Sequence, residues 1–221
     1  MSATAPIRVV VIDDQELFVH GIRMLLESQP DLLVVGTASD GAAGVDLVAA
    51  RSPDVVLMDI RMPVLDGLAA TRRITGGEGS DRVGAPQVVV LTTFRQEEAV
   101  FRSMQEGASA FLTKDATPEQ LLATVRSVHA GDAPPVSVDP IVRRFARPEG
   151  ARRPDEVLAV LSPREREIYA LVAKGLGNAE ISQGAFISEA TVKTHVRSIL
   201  AKLELRSRIQ IVVHAYENRL V

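Results

Sequence analysis

Two apolar patterns alternate along the first half of the chain. Ile7-Arg8-Val9-Val10-Val11-Ile12 is a β-branched run, and four more short apolar runs follow at 32–35, 55–58, 88–91 and 110–112. Helical spacing fills the intervals. From about residue 16 to 28, Leu17, Gly21, Met24, Leu25 and Ser28 recur at helical intervals. The last of these helices opens at Thr117-Pro118-Glu119-Gln120. Thr117 suits the N-cap, Pro118 the first helical position, and Gln120 the reciprocal half of a capping box. Five strands alternating with five helices predict an α/β domain whose parallel sheet is covered on both faces. The glycine-rich, polar stretch from Thr75 to Gly84 reads as a long, mobile loop before the fourth strand.

From Leu161 onward the pattern is helical only. Ser162-Pro163-Arg164-Glu165 is a second capping box, further starts fall at Asn178, Ser188 and Ser207, and Ser207-Arg208-Ile209-Gln210 repeats the box spacing. Four short helices predict a small all-α domain. Between the halves, five of the twelve prolines lie from Pro134 to Pro154, together with Arg143, Arg144, Arg147, Arg152 and Arg153. Proline removes donors and disfavours helix, so most of this segment is expected to be extended or disordered. It reads as a solubilising tether, or as arginines that hold nucleic-acid phosphates or an acidic face of the first domain. The predicted organisation is one domain over 1–130, a Pro/Arg-rich linker over 131–157 and a second domain over 158–221.

Composition narrows the function classes. Apolar residues make up 46 % of the 221, enough to offset chain entropy in at least one core, so disorder is excluded as the main state. The absence of cysteine excludes disulfides, thiolate metal sites and cysteine nucleophiles, and leans towards a reducing compartment. No apolar run reaches the roughly 18 residues of a membrane span. Met1-Ser2-Ala3-Thr4-Ala5-Pro6 lacks the basic and apolar regions of a signal peptide, so a cytoplasmic location is expected. The net charge of −3 hides an asymmetry: residues 1–130 carry −6 and residues 131–221 carry +3. An acidic half joined to a basic half suggests two jobs, the second of them facing a polyanion.

Asp13 and Asp14 directly follow the first predicted strand, and Asp59 the third. In a flavodoxin-like, doubly wound sheet of order 2-1-3-4-5 these strands are neighbours, and ligands bind at their carboxyl ends. Three carboxylates converging there need a counter-charge, and an all-oxygen donor set suits Mg²⁺. Thr92 and Lys114 end the fourth and fifth strands on the same edge. Taken singly, each aspartate is a turn or helix cap, Thr92 a strand-end hydroxyl and Lys114 a solvated lysine. Taken together they suit phosphoryl transfer to a carboxylate oxygen of Asp59, with Mg²⁺ and Lys114 neutralising the phosphoryl group. A carboxylate is already deprotonated, so no general base is required.

Val11-Ile12-Asp13-Asp14, the run from Val55 through Asp59-Ile60-Arg61-Met62-Pro63 to Asp66-Gly67, Leu91-Thr92-Thr93-Phe94 and Phe111-Leu112-Thr113-Lys114 together resemble the receiver domain of two-component response regulators. The resemblance implies that Asp59 is the phosphoacceptor and that Asp13, Asp14, Asp59 and the main-chain carbonyl of Arg61 bind Mg²⁺. It places Thr92 and Phe111 at switch positions and Lys114 on the phosphoryl group. Thr92 then moves to donate its hydroxyl to the phosphoryl group and vacates space for Phe111, a two-state element biased by local charge. Without the resemblance, Phe111 is as readily a core aromatic. The stretch after Thr75 is longer than the family's usual connection.

In the second domain Val192, Val196, Ile199, Leu200 and Leu203 share one helical face, and Lys193, Thr194 and Arg197 lie away from it. The basic side suits a recognition helix in the DNA major groove, or is a solvated face. His195 reads as a packing or phosphate-side residue. Leu161 to Glu167, Asn178-Ala179-Glu180-Ile181 and Ser188 to Val196 resemble the LuxR-type helix-turn-helix, which implies that Lys193, Thr194 and Arg197 face DNA with Asn178 and Thr191 near phosphates. Gly184 and Ala185 depart from that family's usual larger residues, which predicts marginal stability. In the last helix Ile209, Val212, Val213 and Tyr216 form one apolar stripe, and Ile211 and Ala215 a second, expected to be a dimer contact on DNA.

The whole resembles a two-component response regulator of the NarL/FixJ type. That implies phosphorylation of Asp59 by a sensor histidine kinase, a homodimer when phosphorylated, promoter DNA as target, Mg²⁺ as cofactor, no membrane partner, and no enzymatic turnover beyond slow autophosphorylation and autodephosphorylation. The alternative within the same architecture is a DNA-binding regulator that ignores phosphorylation, with a vestigial receiver domain. A phosphohydrolase is disfavoured, because Arg61 stands where its second acid would fall.

Overall fold

A computed structural model describes residues 5–76, 85–93, 97–133, 138–146 and 154–221. Five parallel strands, β1 (Ile7–Ile12), β2 (Leu32–Ala38), β3 (Val55–Asp59), β4 (Gln87–Thr92) and β5 (Ala110–Thr113), form one sheet of order β2-β1-β3-β4-β5. The predicted order is the observed one. β3 is buried at every position, as expected of a central strand covered on both faces. Helices α1 (Glu16–Glu27), α2 (Gly41–Arg51), α3 (Gly67–Gly76), α4 (Glu97–Gln105) and α5 (Pro118–His129) alternate with the strands. The capping box at Thr117 is made in both directions, at 3.3 Å to the Gln120 N–H and 3.0 Å from the Thr117 N–H. The loop predicted after Thr75 lies outside the described residues from 77 to 84; Thr75 and Gly76 belong to α3.

The α1 helix forms where its spacing predicts it, with the apolar stripe reversed. Ile22 and Leu26 are buried against the sheet, while Leu17 is 87 % and Met24 75 % exposed. Each face of the sheet carries its own core. On the α1/α5 face, Val9, Val11, Leu57, Val89, Leu91 and Leu112 pack on Ile22, Leu26, Leu121 and Val125. On the other face, Val10, Ile12, Val56, Met58, Val88 and Val90 pack under α2, α3 and α4.

The predicted linker contains helices where extended chain was expected. Helix α6 (Asp139–Phe145) and a single turn, α7 (Pro154–Val157), begin at or next to prolines, where the missing N–H is one the helix start does not use. Val142 of α6 is fully buried, Phe145 stacks on Phe101 of α4 with ring centroids 6.1 Å apart, and Arg144 pairs with Glu97 at 2.7 Å. The arginines at 147, 152 and 153 lie outside the described residues.

Helices α8 (Pro163–Ala173), α9 (Asn178–Ala185), α10 (Glu189–Lys202) and α11 (Arg208–Glu217) form the second domain. Its core is built from Leu161, Ile168, Tyr169, Val172, Ile181, Val192, Val196 and Ile199. Ile211 and Ala215 belong to it with no exposed surface, which corrects the expectation that they are dimer contacts: this stripe faces α8 and its neighbours. The other stripe, Ile209, Val212 and Val213, packs with Val138, Ile141, Val142, Val100, Phe101 and Met104, in the core beneath α4 and α6. Both faces of α11 are therefore used within one chain. Ser207 caps α11 by accepting the Gln210 N–H, and its hydroxyl donates to the Ala108 carbonyl at 2.8 Å. The Gln210 side chain does not close a capping box; it accepts the Arg206 N–H at 2.6 Å and donates to the Gln105 carbonyl at 2.7 Å. Gly184 sits near the exposed end of α9, where an added Cβ would meet nothing within 4 Å.

Candidate functional site

The carboxyl ends of β1 and β3 bring the acidic residues together. Asp13 and Asp59 are 1 % and 5 % exposed, Asp14 is exposed, and one oxygen from each lies within 4.8 Å of the others. The backbone fixes both buried carboxylates: Asp13 Oδ1 accepts the Gln15 N–H at 2.9 Å and Asp59 Oδ1 accepts the Ile60 N–H at 2.9 Å. Lys114 reaches in from the end of β5, with Nζ 2.7 Å from Asp13 Oδ2 and 3.2 Å from Asp59 Oδ2. The Lys114 N–H bonds the Thr92 carbonyl at 2.7 Å, so the ends of β4 and β5 are tied beside the site. The loop after β3 returns against the strand it leaves. The Gly67 N–H bonds the Ile60 carbonyl at 2.9 Å, and a Cβ on Gly67 would fall 1.8 Å from the Asp59 carbonyl oxygen. Only glycine permits that approach.

Burial, and next the charge of Asp13, push the Asp59 carboxyl above the usual carboxylate range, against the pull of Lys114 and the Ile60 N–H. Among the described residues, three carboxylates converge on one ammonium, that of Lys114. This donor set and its uncompensated charge fit a divalent cation bound by oxygen ligands.

Of the residues named from sequence, Asp13, Asp14, Asp59 and Lys114 converge. Thr92, 3 % exposed on β4, adjoins them, its hydroxyl donating to the Thr93 carbonyl at 3.1 Å. Arg61 lies two residues past Asp59 with an exposed side chain. Phe111 is half-buried and packs on the core shared by α4, α6 and α11.

On α10, Thr194 and Arg197 are exposed and Lys193 half-exposed, while Val192, Val196 and Ile199 are buried. Thr191 donates its N–H to the N-cap Ser188 hydroxyl at 3.1 Å. Asn178 corrects its expected place near phosphates in this arrangement. It is fully buried, its N–H donates to Asp132 Oδ1 at 2.8 Å, its Nδ2 to the Gly131 carbonyl, and its Oδ1 accepts Arg208 at 2.9 Å. Sequence reading missed Asp132 and Arg208, because a contact across 46 residues leaves no local pattern. Glu165 is also more than a cap. Besides accepting the Ser162 N–H, it binds Ser198 at 2.5 Å and Lys202 at 2.7 Å, contacts that hold its carboxyl down at about 2.

The response regulator receiver domain family matches residues 9–126, and the bacterial regulatory proteins of the luxR family match residues 159–215. The chain is 38 % identical over 217 residues to the transcriptional regulatory protein LiaR of Bacillus subtilis, covering 97 % of this chain and 99 % of LiaR. It is 34 % identical over 221 residues to the nitrate/nitrite response regulator NarL of Escherichia coli, with both chains fully covered. The crystal structure of ChrA, a response regulator of a heme-sensing two-component system, shares 33 % identity at a TM-score of 0.52, covering 99 % of this chain and 100 % of ChrA. Among the described residues no helix is long and apolar enough to cross a membrane. A receiver domain followed by a LuxR-type DNA-binding domain, matched end to end by such regulators, makes this chain a member of the LuxR family of two-component response regulators.

Proposed function

We propose that Asp59 accepts a phosphoryl group from a partner histidine kinase and that the phosphorylated chain binds promoter DNA as a dimer, inside the cell. The proposed units are a receiver over 1–130, a linker over 131–157 and a DNA-binding unit over 158–221. The observation that carries the reading is the convergence of Asp13, Asp14, Asp59 and Lys114 at one strand edge.

Asp13, Asp14 and Asp59, with the main-chain carbonyl of Arg61, would hold Mg²⁺, which when bound supplies positive charge to the phosphoryl oxygens. The chain's own groups do the rest. The Ile60 N–H and Lys114 hold the two oxygens of Asp59, and Lys114 is placed to neutralise the incoming group. An Asp59 oxygen forms the new O–P bond as the P–N bond of a phosphohistidine breaks, the electron pair leaving with the imidazole nitrogen. Thr92 then exchanges its bond to the Thr93 carbonyl for one to a phosphoryl oxygen. Phe111 lies on the core that also seats α11, so its movement reaches the DNA-binding unit directly. Lys193, Thr194 and Arg197, with Thr191 at the phosphate side, are the proposed DNA contacts on α10.

The test is incubation with acetyl phosphate and Mg²⁺, read by intact-protein mass. The chain should gain one phosphoryl group and Asp59→Asn should gain none. Equal labelling of both overturns the assignment by placing the acceptor elsewhere, and labelling of neither overturns it in favour of a regulator that ignores phosphorylation.

A further inference from the structure

Phe186 is an aromatic side chain left in solvent at a costly backbone position. It is 93 % exposed, and it is the one aromatic among the exposed large apolar residues described. It ends α9 in the left-handed region, at φ 55° and ψ 45°, where bulky side chains are rare. The turn enforces this placement. Ala185 before it is buried and Ile187 after it packs on the helical core, so Phe186 is turned out between two anchors. The Phe186 and Ile187 N–H groups both reach the Ser182 carbonyl, and the Ser182 hydroxyl donates to the Ile187 carbonyl at 2.6 Å. A glycine would satisfy this backbone without strain and without an exposed ring. Folding therefore gives no reason for phenylalanine at this backbone position, and an outlier of this kind is grounds for a hypothesis of function.

The partner is indicated by the residues next along the chain. Two positions on, Ser188 caps α10, and the first turns of α10 carry Thr191, Lys193 and Thr194. Between residues 182 and 194 the charged side chains are Glu189 and Lys193. Along α10 itself, half-exposed Lys193 and exposed Arg197 outweigh Glu189 and suit a polyanion, and Phe186 stands two residues before the N-cap of that helix. Apolar side chains at such a place meet deoxyribose carbons or the thymine methyl group.

We propose that Phe186 is a DNA contact of this chain, packing its ring on deoxyribose or thymine-methyl carbon at the edge of the groove entered by α10. The inference rests on the DNA-binding reading of α10 and adds to it a contact that carries no charge. Phosphate contacts set the slope of affinity against salt, and an apolar contact does not.

The test uses the full-length chain and a 40-base-pair mixed-sequence duplex, titrated at several salt concentrations. Phe186→Gly should weaken binding about tenfold with the salt slope unchanged, while its melting temperature stays level or rises because the left-handed strain is relieved. Lys193→Ala should instead lower the slope by about one. Phe186→Tyr should keep the affinity of the parent. Replacing thymidine by deoxyuridine in the duplex separates the two carbon sources: a parent affinity that falls identifies the methyl group, and one that holds identifies the sugar. Equal binding by Phe186→Gly and the parent overturns the contact, and a loss of transcription at equal DNA affinity would assign the ring to a protein instead. A parent chain that binds no duplex, with or without phosphodonor, overturns the DNA-binding reading and this contact together.

Discussion

The two faces of the receiver sheet are finished differently. The α1/α5 face is closed by the receiver's own residues, with Ile22, Leu26, Leu121 and Val125 over Val9, Val11 and Leu57. The face under α4 is completed by other parts of the chain: Val138, Ile141 and Val142 from α6 and the residue before it, and Ile209, Val212 and Val213 from α11. A rearrangement on the first face stays inside the receiver. On the second face it cannot, because Phe111, α4 and the DNA-binding unit share one packed interior, and close-packed interiors transmit strain. The helical unit in turn has a single core of its own and turns the second side of α11 to the receiver.

The largest effect should come from placing a charge in that shared interior. Val213→Asp buries an unpaired carboxylate at a position 3 % exposed, which costs about 3 kcal/mol. Small-angle scattering should show the two units separating, and protease should gain access between them, while Asp59 still takes phosphate from acetyl phosphate. A chain that stays compact would break the contrast between the two faces.

A smaller effect probes the helical unit's own stability. The Glu165 carboxyl is held at about 2 by Lys202 and Ser198, against an ordinary value of 4.5. A lowered folded-state value means that the contribution is complete above about 4.5 and is lost as pH falls from there towards about 2. Thermal melts should therefore decline steeply over that window in the parent and less steeply in Glu165→Gln. Parallel profiles would remove Glu165 from the account. The smallest effect belongs to the self-contained face: Leu17→Ser, at a position 87 % exposed, should change stability by less than about 0.5 kcal/mol and leave the shape in solution unaltered. A larger loss would mean that this stripe is covered in solution.

The same contrast explains what could be read without coordinates. Valine-rich runs ending in Asp13, Asp59 and Thr92 announce parallel strands whose carboxyl ends meet, because a doubly wound sheet leaves few choices of order. Helical periodicity places α1 and α11 well but cannot say what each apolar stripe faces. Leu17 and Met24 are exposed where Ile22 and Leu26 are buried, and Ile211 and Ala215 lie inside the unit where a dimer contact was expected. The linker misled for a related reason. Its prolines describe local backbone preference, whereas Val142 and Phe145 form helix because α4 and α11 bury them. Asn178, Asp132 and Arg208 are tied together only by tertiary approach, which no short window contains.

Ser207 shows how far the joining of the two units reaches into residue choice. An aspartate starts a helix as well as a serine does. A carboxylate has no proton to hand on, however, and the Ala108 carbonyl that this side chain also serves can only receive one. The need for a hydroxyl at the first turn of α11 is thus set from across the junction, by the neighbouring fold.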